Sequence, residues 1–263
     1  MIYKNTNNKK FLKLYTKNKN TDHKNKAAAV IILCKYSRNE GWNSTMKIIY
    51  YGHSAFNITT EKGTRIIIDP YESGAFNRAL SYGKISDEAD IVITSHNHAD
   101  HNHTSDIKGK FSLISKEGAL EIKDVKIKTI NTYHDNSGGK ERGNNLISVI
   151  NTDNLVLAHM GDLGHSLDHS TLQEMGKVDI LLIPTGGFFT IDAALAVKVM
   201  YDIKPGITIP MHYKTAKCAF PITPVEDFTK GQNNVHVLKG SEIMIKKETL
   251  PQEREIIVLQ YAL

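Results

Sequence analysis

From Met46 onward the chain alternates short, strongly apolar runs with turn residues. Lys47–Tyr51, Phe56–Thr60 and Arg65–Asp69 are the first three runs, linked by Gly52-His53-Ser54 and by Glu61-Lys62-Gly63. Runs of this length, rich in β-branched residues and bounded by glycine and polar clusters, predict strands. Ile91–Thr94, Phe111–Ile114, Val125–Ile130, Leu146–Ile150, Leu155–His159, Ile180–Pro184 and Gly206–Pro210 continue the series. Ile91–Ile93 and Ile180–Ile183 contain no polar position, which predicts strands buried on both faces. Helical spacing occupies Ser170–Met175 and Ile191–Ile203, the second behind a Thr190/Asp192 capping signal. Many strands with helices interspersed predict a sheet-rich, layered α/β body.

The first 45 residues break this pattern. Rich in Lys and Asn and without a sustained period, they read as a disordered basic tail or as an extension upstream of a start at Met46. Residues 46–263 are then one domain, long enough to bury a full core. Charge follows the same boundary. The chain carries +5 and its first 45 residues alone +8 (ten Lys/Arg against two Asp/Glu), so residues 46–263 carry the difference, −3. The basic balance belongs to the tail and does not argue for nucleic acid as a partner of the body. Two isolated cysteines, Cys34 and Cys218, make neither a disulfide framework nor a thiolate metal site, which fits a reducing cytoplasm. The longest uniform apolar run, Ala27–Cys34, is eight residues, whereas a membrane span needs about twenty. No small-residue cleavage site follows it, so a secretion signal is not expected.

Four of the chain's twelve histidines fall within His96-Asn97-His98-Ala99-Asp100-His101-Asn102-His103, directly after the buried run Ile91–Thr94. In an extended segment residues i and i+2 face the same side, so His96 and His98 can aim at one metal ion. Asp100 and His101 lie past that turn and can serve a second. Imidazole and carboxylate suit zinc, manganese or iron, and the scarcity of cysteine removes softer ligand sets. No Gly-x-Ser-x-Gly nucleophile elbow competes with this reading.

His-x-His-x-Asp-His after a buried strand resembles the signature of the metallo-β-lactamase superfamily. Further residues follow in that family's order, each at the end of an expected strand: Asp69, His134, Asp162 in Gly161-Asp162-Leu163-Gly164-His165, and His212. The resemblance covers residues 46 to about 215. It implies a four-layer αββα sandwich and hydrolysis by a water or hydroxide shared between two divalent metal ions, with zinc first and manganese or iron as alternatives. His96, His98 and His134 then resemble the ligands of one ion and Asp100, His101 and His212 those of the other. Asp162 would bridge the pair, and Asp69 would orient a histidine ligand. Tyr50-Tyr51-Gly52-His53-Ser54, the Arg142–Asn145 segment and Gly186–Ala193 are similar to the bacterial Zn-dependent hydrolase branch that includes ascorbate-6-phosphate lactonase.

Other residues carry two readings each. His53 is a proton shuttle facing the metals or a turn residue bonded to backbone, and His165 reaches the pocket or holds its loop. Arg142 and Asn144, in the Gly-rich segment after His134, meet an anionic substrate group or form a solvated turn. Phe188 and Phe189 form a pocket wall or pack the core. The expected partner is a small, anionic molecule, a lactone or phosphoester, with no membrane and with homo-oligomerisation open. A nuclease acting on nucleic acid and a non-catalytic metal-binding protein are the rival readings.

Overall fold

The computed structural model describes residues 45–263, so the expected tail lies outside the described residues. Fourteen strands form two sheets. The smaller has six, in the order β13-β1-β2-β3-β4-β5: β1 Met46–Gly52, β2 Ala55–Thr59, β3 Arg65–Ile68, β4 Ile91–Ile93, β5 Ser112–Ile114 and β13 Glu242–Ile245. The larger has eight, in the order β12-β14-β11-β10-β9-β8-β7-β6. These are β6 Gly118–Ile122, β7 Val125–Tyr133, β8 Asn144–Thr152, β9 Leu155–His159, β10 Ile180–Pro184, β11 Ile207–Met211, β12 Val235–Val237 and β14 Glu255–Val258. Each sheet is antiparallel in one part and parallel in the other: β1-β2-β3 and β6-β7-β8-β9 alternate, whereas β3-β4-β5 and β9-β10-β11-β14 run together.

Burial follows side-chain alternation. Leu181 and Ile183 share a cluster with α1 His169–Met175, α2 Ala193–Ile203 and α3 Val225–Thr229 through Met175, Ala196, Val199, Met200 and Phe228. These helices cover one face of the larger sheet. Ile67 and Val92 point outward from the smaller sheet into Tyr71, Leu80, Tyr82, Ile85 and Ala89, so the β3–β4 connection, whose one helical piece is the four-residue kinked turn Ala75–Arg78, covers that face. The alternate positions, Ile66, Ile68, Ile91, Ile93, Ile180 and Leu182, are fully buried as well and fill the layer between the sheets. Both expected helices form. Asp192 is the N-cap of α2, its carboxylate accepting the Leu195 N–H at 2.8 Å, and Asp168 caps α1 through the Thr171 N–H at 2.7 Å. Among the described residues no helix is long and apolar enough to cross a membrane.

This topology gathers chain ends. β1, β3 and β4 run the same way, as do β7, β9, β10 and β11. Their C-terminal ends therefore lie along one edge of each sheet. His53, Asp69 and His212 leave those ends with φ of 54°, 47° and 51°. The left-handed region is uncommon for side chains of this size, and it turns each of them sharply out of its strand.

Candidate metal centre

Five strand ends deliver eight polar side chains to one cluster. Donor atoms of His96, His98 and His134 lie within 4.8 Å of one another, as do those of His53, Asp100, His101 and His212. His96, His101 and Asp162 form a third such set, which joins the first two. Asp162 sits at the junction. Its Oδ2 is 3.2 Å from His101 Nε2, 3.3 Å from both His134 Nε2 and His212 Nε2, and 4.0 Å from His96 Nε2. The two histidine groups differ in access: His98 is exposed, whereas His53, Asp100, His101 and His212 are all buried.

The loops that deliver these groups are built for close approach. Asp162 follows Gly161, whose φ is 55°; a Cβ there would collide with Asn145 Oδ1, the Ser95 side chain and the Leu146 carbonyl. At Gly164 a Cβ would strike the backbone of His134 and Asp135. Only glycine lets the segment lie against both neighbours.

Asp69 organises the other side. Its Oδ1 accepts the Ser95 N–H at 2.7 Å, and its Oδ2 accepts the Ser95 hydroxyl at 2.7 Å and His101 Nδ1–H at 2.9 Å. With its proton given to Asp69, Ser95 Oγ accepts His96 Nδ1–H at 2.9 Å. Both rings are thereby fixed in the tautomer that leaves Nε2 with a free lone pair. Those two nitrogens, His96 Nε2 and His101 Nε2, are buried without a hydrogen-bond partner, and so is Asp162 Oδ1.

Charge points the same way. Burial would raise the pKa of Asp162, but His101 and His212 outweigh it and hold the carboxyl well below the usual range. Asp69 is lowered as well, against burial, through His101. At His53 and His96 burial dominates and pushes the rings down to about 4 and about 3. At His101 the carboxylates of Asp162, Asp100 and Asp69 outweigh burial and favour positive charge beside them. The ion-pair partners of these three buried carboxylates are imidazoles, with no Lys or Arg among the described residues. Buried negative charge beside free imidazole lone pairs is the donor set of a divalent cation site.

The weighed residues separate. The His53 ring is not bonded to backbone: its Nε2 donates to Asp100 Oδ2 at 3.0 Å, and the ring lies 4.1 Å from that of His212. His165 stands apart, its Nδ1 donating to the Ser166 carbonyl at 2.8 Å and its Nε2 accepting the Tyr133 N–H at 3.2 Å. Both ring nitrogens are hydrogen-bonded to backbone groups. Asn144 is exposed. Its neighbour Asn145, not singled out from sequence, is the positioning residue: buried, it accepts the Asp162 N–H at 2.8 Å and donates to the Met160 carbonyl at 2.9 Å. Arg142 is half-buried with its guanidinium 5.9 Å from the centre of the Phe189 ring. Asp135 was also missed. Its carboxylate accepts N–H groups from Ser137, Gly139, Glu141 and Arg142, so the Gly-rich segment is wrapped around an anion. Those donors hold it far below the usual carboxylate range despite burial.

Comparison with known proteins agrees with this geometry. The β-lactamase superfamily domain matches residues 47–212. A metal-dependent hydrolase of the UPF0173 group from Thermococcus onnurineus is 31% identical over 228 residues, covering 76% of this chain and 99% of that one. A second from Thermoplasma acidophilum is 28% identical over 65% of this chain and 84% of its own. Among solved structures, a protein of Thermotoga maritima assigned to the Zn-dependent hydrolases of the metallo-β-lactamase superfamily is 32% identical, with a TM-score of 0.68 over 81% of this chain and 98% of that one. A two-sheet sandwich whose strand ends converge on histidines and buried carboxylates, in a chain so matched, belongs to the metal-dependent hydrolases of the metallo-β-lactamase superfamily.

Proposed function

We propose that the cluster holds two divalent ions, zinc in first place, and hydrolyses a small anionic ester, either a lactone or a phosphoester. The observation that carries this reading is the position of Asp162 Oδ2, within 3.3 Å of ring nitrogens from both histidine groups. His96, His98 and His134 would hold one ion, and Asp100, His101 and His212 the other, with Asp162 shared. Such a pair supplies Lewis-acid polarisation of the scissile group and lowers the pKa of a shared water.

The chain's own residues do the rest. Asp69, directly and through Ser95, keeps the two Nε2 lone pairs of His101 and His96 directed inward. His53 fixes the orientation of Asp100 through Nε2–H and is the proton carrier nearest the buried group. Arg142, fastened to Asp135 by its backbone, is the guanidinium available to an anionic substituent. A lactonase activity like that of the ascorbate-6-phosphate branch agrees with this arrangement.

Elemental analysis of protein purified without chelator and reconstituted should approach two equivalents of metal per chain. Turnover should then appear on a panel of lactones, phosphodiesters and β-lactams, with anionic lactones or phosphoesters preferred. A metal content near zero in folded protein would overturn the mechanism.

A further inference from the structure

Four phenylalanines form a continuous row that starts at the buried histidine group and ends in solvent. Phe220 meets the His53 ring edge-on at 5.7 Å between centroids. Phe189 and Phe76 meet Phe220 at 5.5 Å and 5.4 Å, also edge to face, and Phe188 meets Phe189 at 4.7 Å. Arg142 closes the row over Phe189. No step from the His53 ring to that guanidinium exceeds 6 Å.

Folding accounts for the inner half of this row and not for the outer half. Phe189 and Phe220 are partly buried against the cluster that includes Tyr71, Leu80 and Ile222. Phe76 and Phe188, however, are 49% and 64% exposed. Both also hold a left-handed backbone, with φ of 53° and 61°. For Phe76 the strain extends over three consecutive residues, since Asn77 and Arg78 have φ of 56° and 67°. Two large rings displayed to solvent from a conformation that bulky residues rarely adopt are a cost to the fold, and such costs collect at ligand sites.

We propose that this row is the binding wall for a planar, unsaturated ring carried by the substrate beside its scissile bond; the proposal rests on the hydrolytic reading of the metal centre. The substrate class is an aryl or heteroaromatic ester, lactone or phosphoester. Three features select a ring. The row is continuous with the metal cluster through Phe220 and His53, so an occupant of the wall has its neighbouring bond at the cluster. The rings stand edge to face, which leaves ring faces and edges to which another ring adds in the same geometry. Arg142 at the rim lies over the Phe189 ring at 5.9 Å, and a guanidinium so placed favours a ligand that is flat and negatively charged.

Two ligands with the same metal-binding head separate the wall from the metals. Phenylphosphonate and methylphosphonate are titrated calorimetrically into the metal-loaded full-length protein. Phenylphosphonate should bind at least about tenfold more tightly. In Phe220→Leu that ratio should fall towards one, whereas Phe220→Tyr should keep it. Phe188→Ala, at an exposed position outside the core, should lower the ratio partially and keeps the test independent of folding at Phe220. Equal affinities in the unaltered protein would overturn the aromatic wall and leave the hydrolase reading standing. Equal weakening of both ligands in Phe220→Leu, with the ratio kept, would make the ring a support for His53 and overturn it as well. If neither phosphonate binds, the wall and the hydrolytic reading fall together.

Discussion

Asp162 carries more of the site than any other residue, because one carboxylate oxygen faces both histidine groups. Asp162→Ala should leave the strands intact, reduce bound metal and lower turnover by at least about a hundredfold, some 2.7 kcal/mol of barrier. Activity retained within about tenfold would show that the two groups work without a shared carboxylate. The residue behind it gives a separate test. Asn145 is fully buried and bonds the Asp162 N–H, the Met160 carbonyl and the Thr132 hydroxyl. Asn145→Ala leaves these groups unpaired, at about 1–3 kcal/mol of stability. Its activity should fall further than stability alone explains, since the Gly161-Asp162 turn loses its anchor. An Asn145→Ala protein with full turnover per folded molecule would confine Asn145 to the fold. The contrast between the two residues also shows what the sequence could reveal. His96, His98, Asp100 and His101 stand close together in sequence, so their spacing is visible without coordinates. Asn145 and Asp135 act on backbone groups, and for Asn145 those groups lie 15 and 17 residues away. A lone polar residue with a distant backbone partner leaves no local pattern to read.

Elements were legible where burial is two-sided. β9 and β10 begin and end where the apolar runs do, because each has a neighbour on both edges and cover on both faces. β6 was not, since four of its five residues are exposed and its strand state depends on pairing with β7. β12, β13 and β14, of three or four residues each, are also set by a neighbouring strand more than by their own pattern. The β6–β7 turn has an energetic role that pattern reading gives no hint of. Lys123, at that turn, is 2.9 Å from Asp90 Oδ1, and Asp90 Oδ2 also accepts the Arg65 N–H at 2.9 Å. The turn of the larger sheet is thus latched to the ends of β3 and β4 in the smaller. Burial would raise the pKa of Asp90, but Lys123 and Arg65 hold it down at about 2. A depressed carboxyl stabilises the fold above its unfolded pKa, about 3.9, and that contribution fades as pH falls through the folded value. Asp90→Asn should cost about 1–2 kcal/mol at neutral pH. In urea unfolding of metal-free protein, the gap between variant and parent should narrow between about pH 4 and pH 2. A gap independent of pH would remove the ion pair as its source.

At the scale of the whole molecule the two sheets are joined at opposite edges by different chemistry. One edge has the latch of Asp90 and Lys123, reinforced by Asp124, which accepts hydrogen bonds from Thr60 at 2.7 Å and from Thr64. The other has the polar cluster, to which the smaller sheet contributes His53, Asp69 and the His96–His101 segment, and the larger His134, Asp162 and His212. Three buried carboxylates and several unpartnered ring nitrogens cannot hold an edge closed by themselves, because like charges repel and orphaned polar atoms favour water. Cations that bind this edge only in the folded state add their binding free energy to stability. Chelation should therefore lower the melting temperature by several degrees, and restoring zinc or manganese should recover it. The loss should also be local. Hydrogen exchange in the chelated protein should accelerate at the C-terminal ends of β4, β7, β9 and β11, while amides around Thr60, Thr64 and Lys123 keep their protection. Uniform acceleration at both edges would mean that the sandwich opens as one unit and that the metal edge is not a separate closure. An unchanged melting temperature after complete metal removal would mean that the cluster is preformed without cations, and its unpaired atoms would then need another partner.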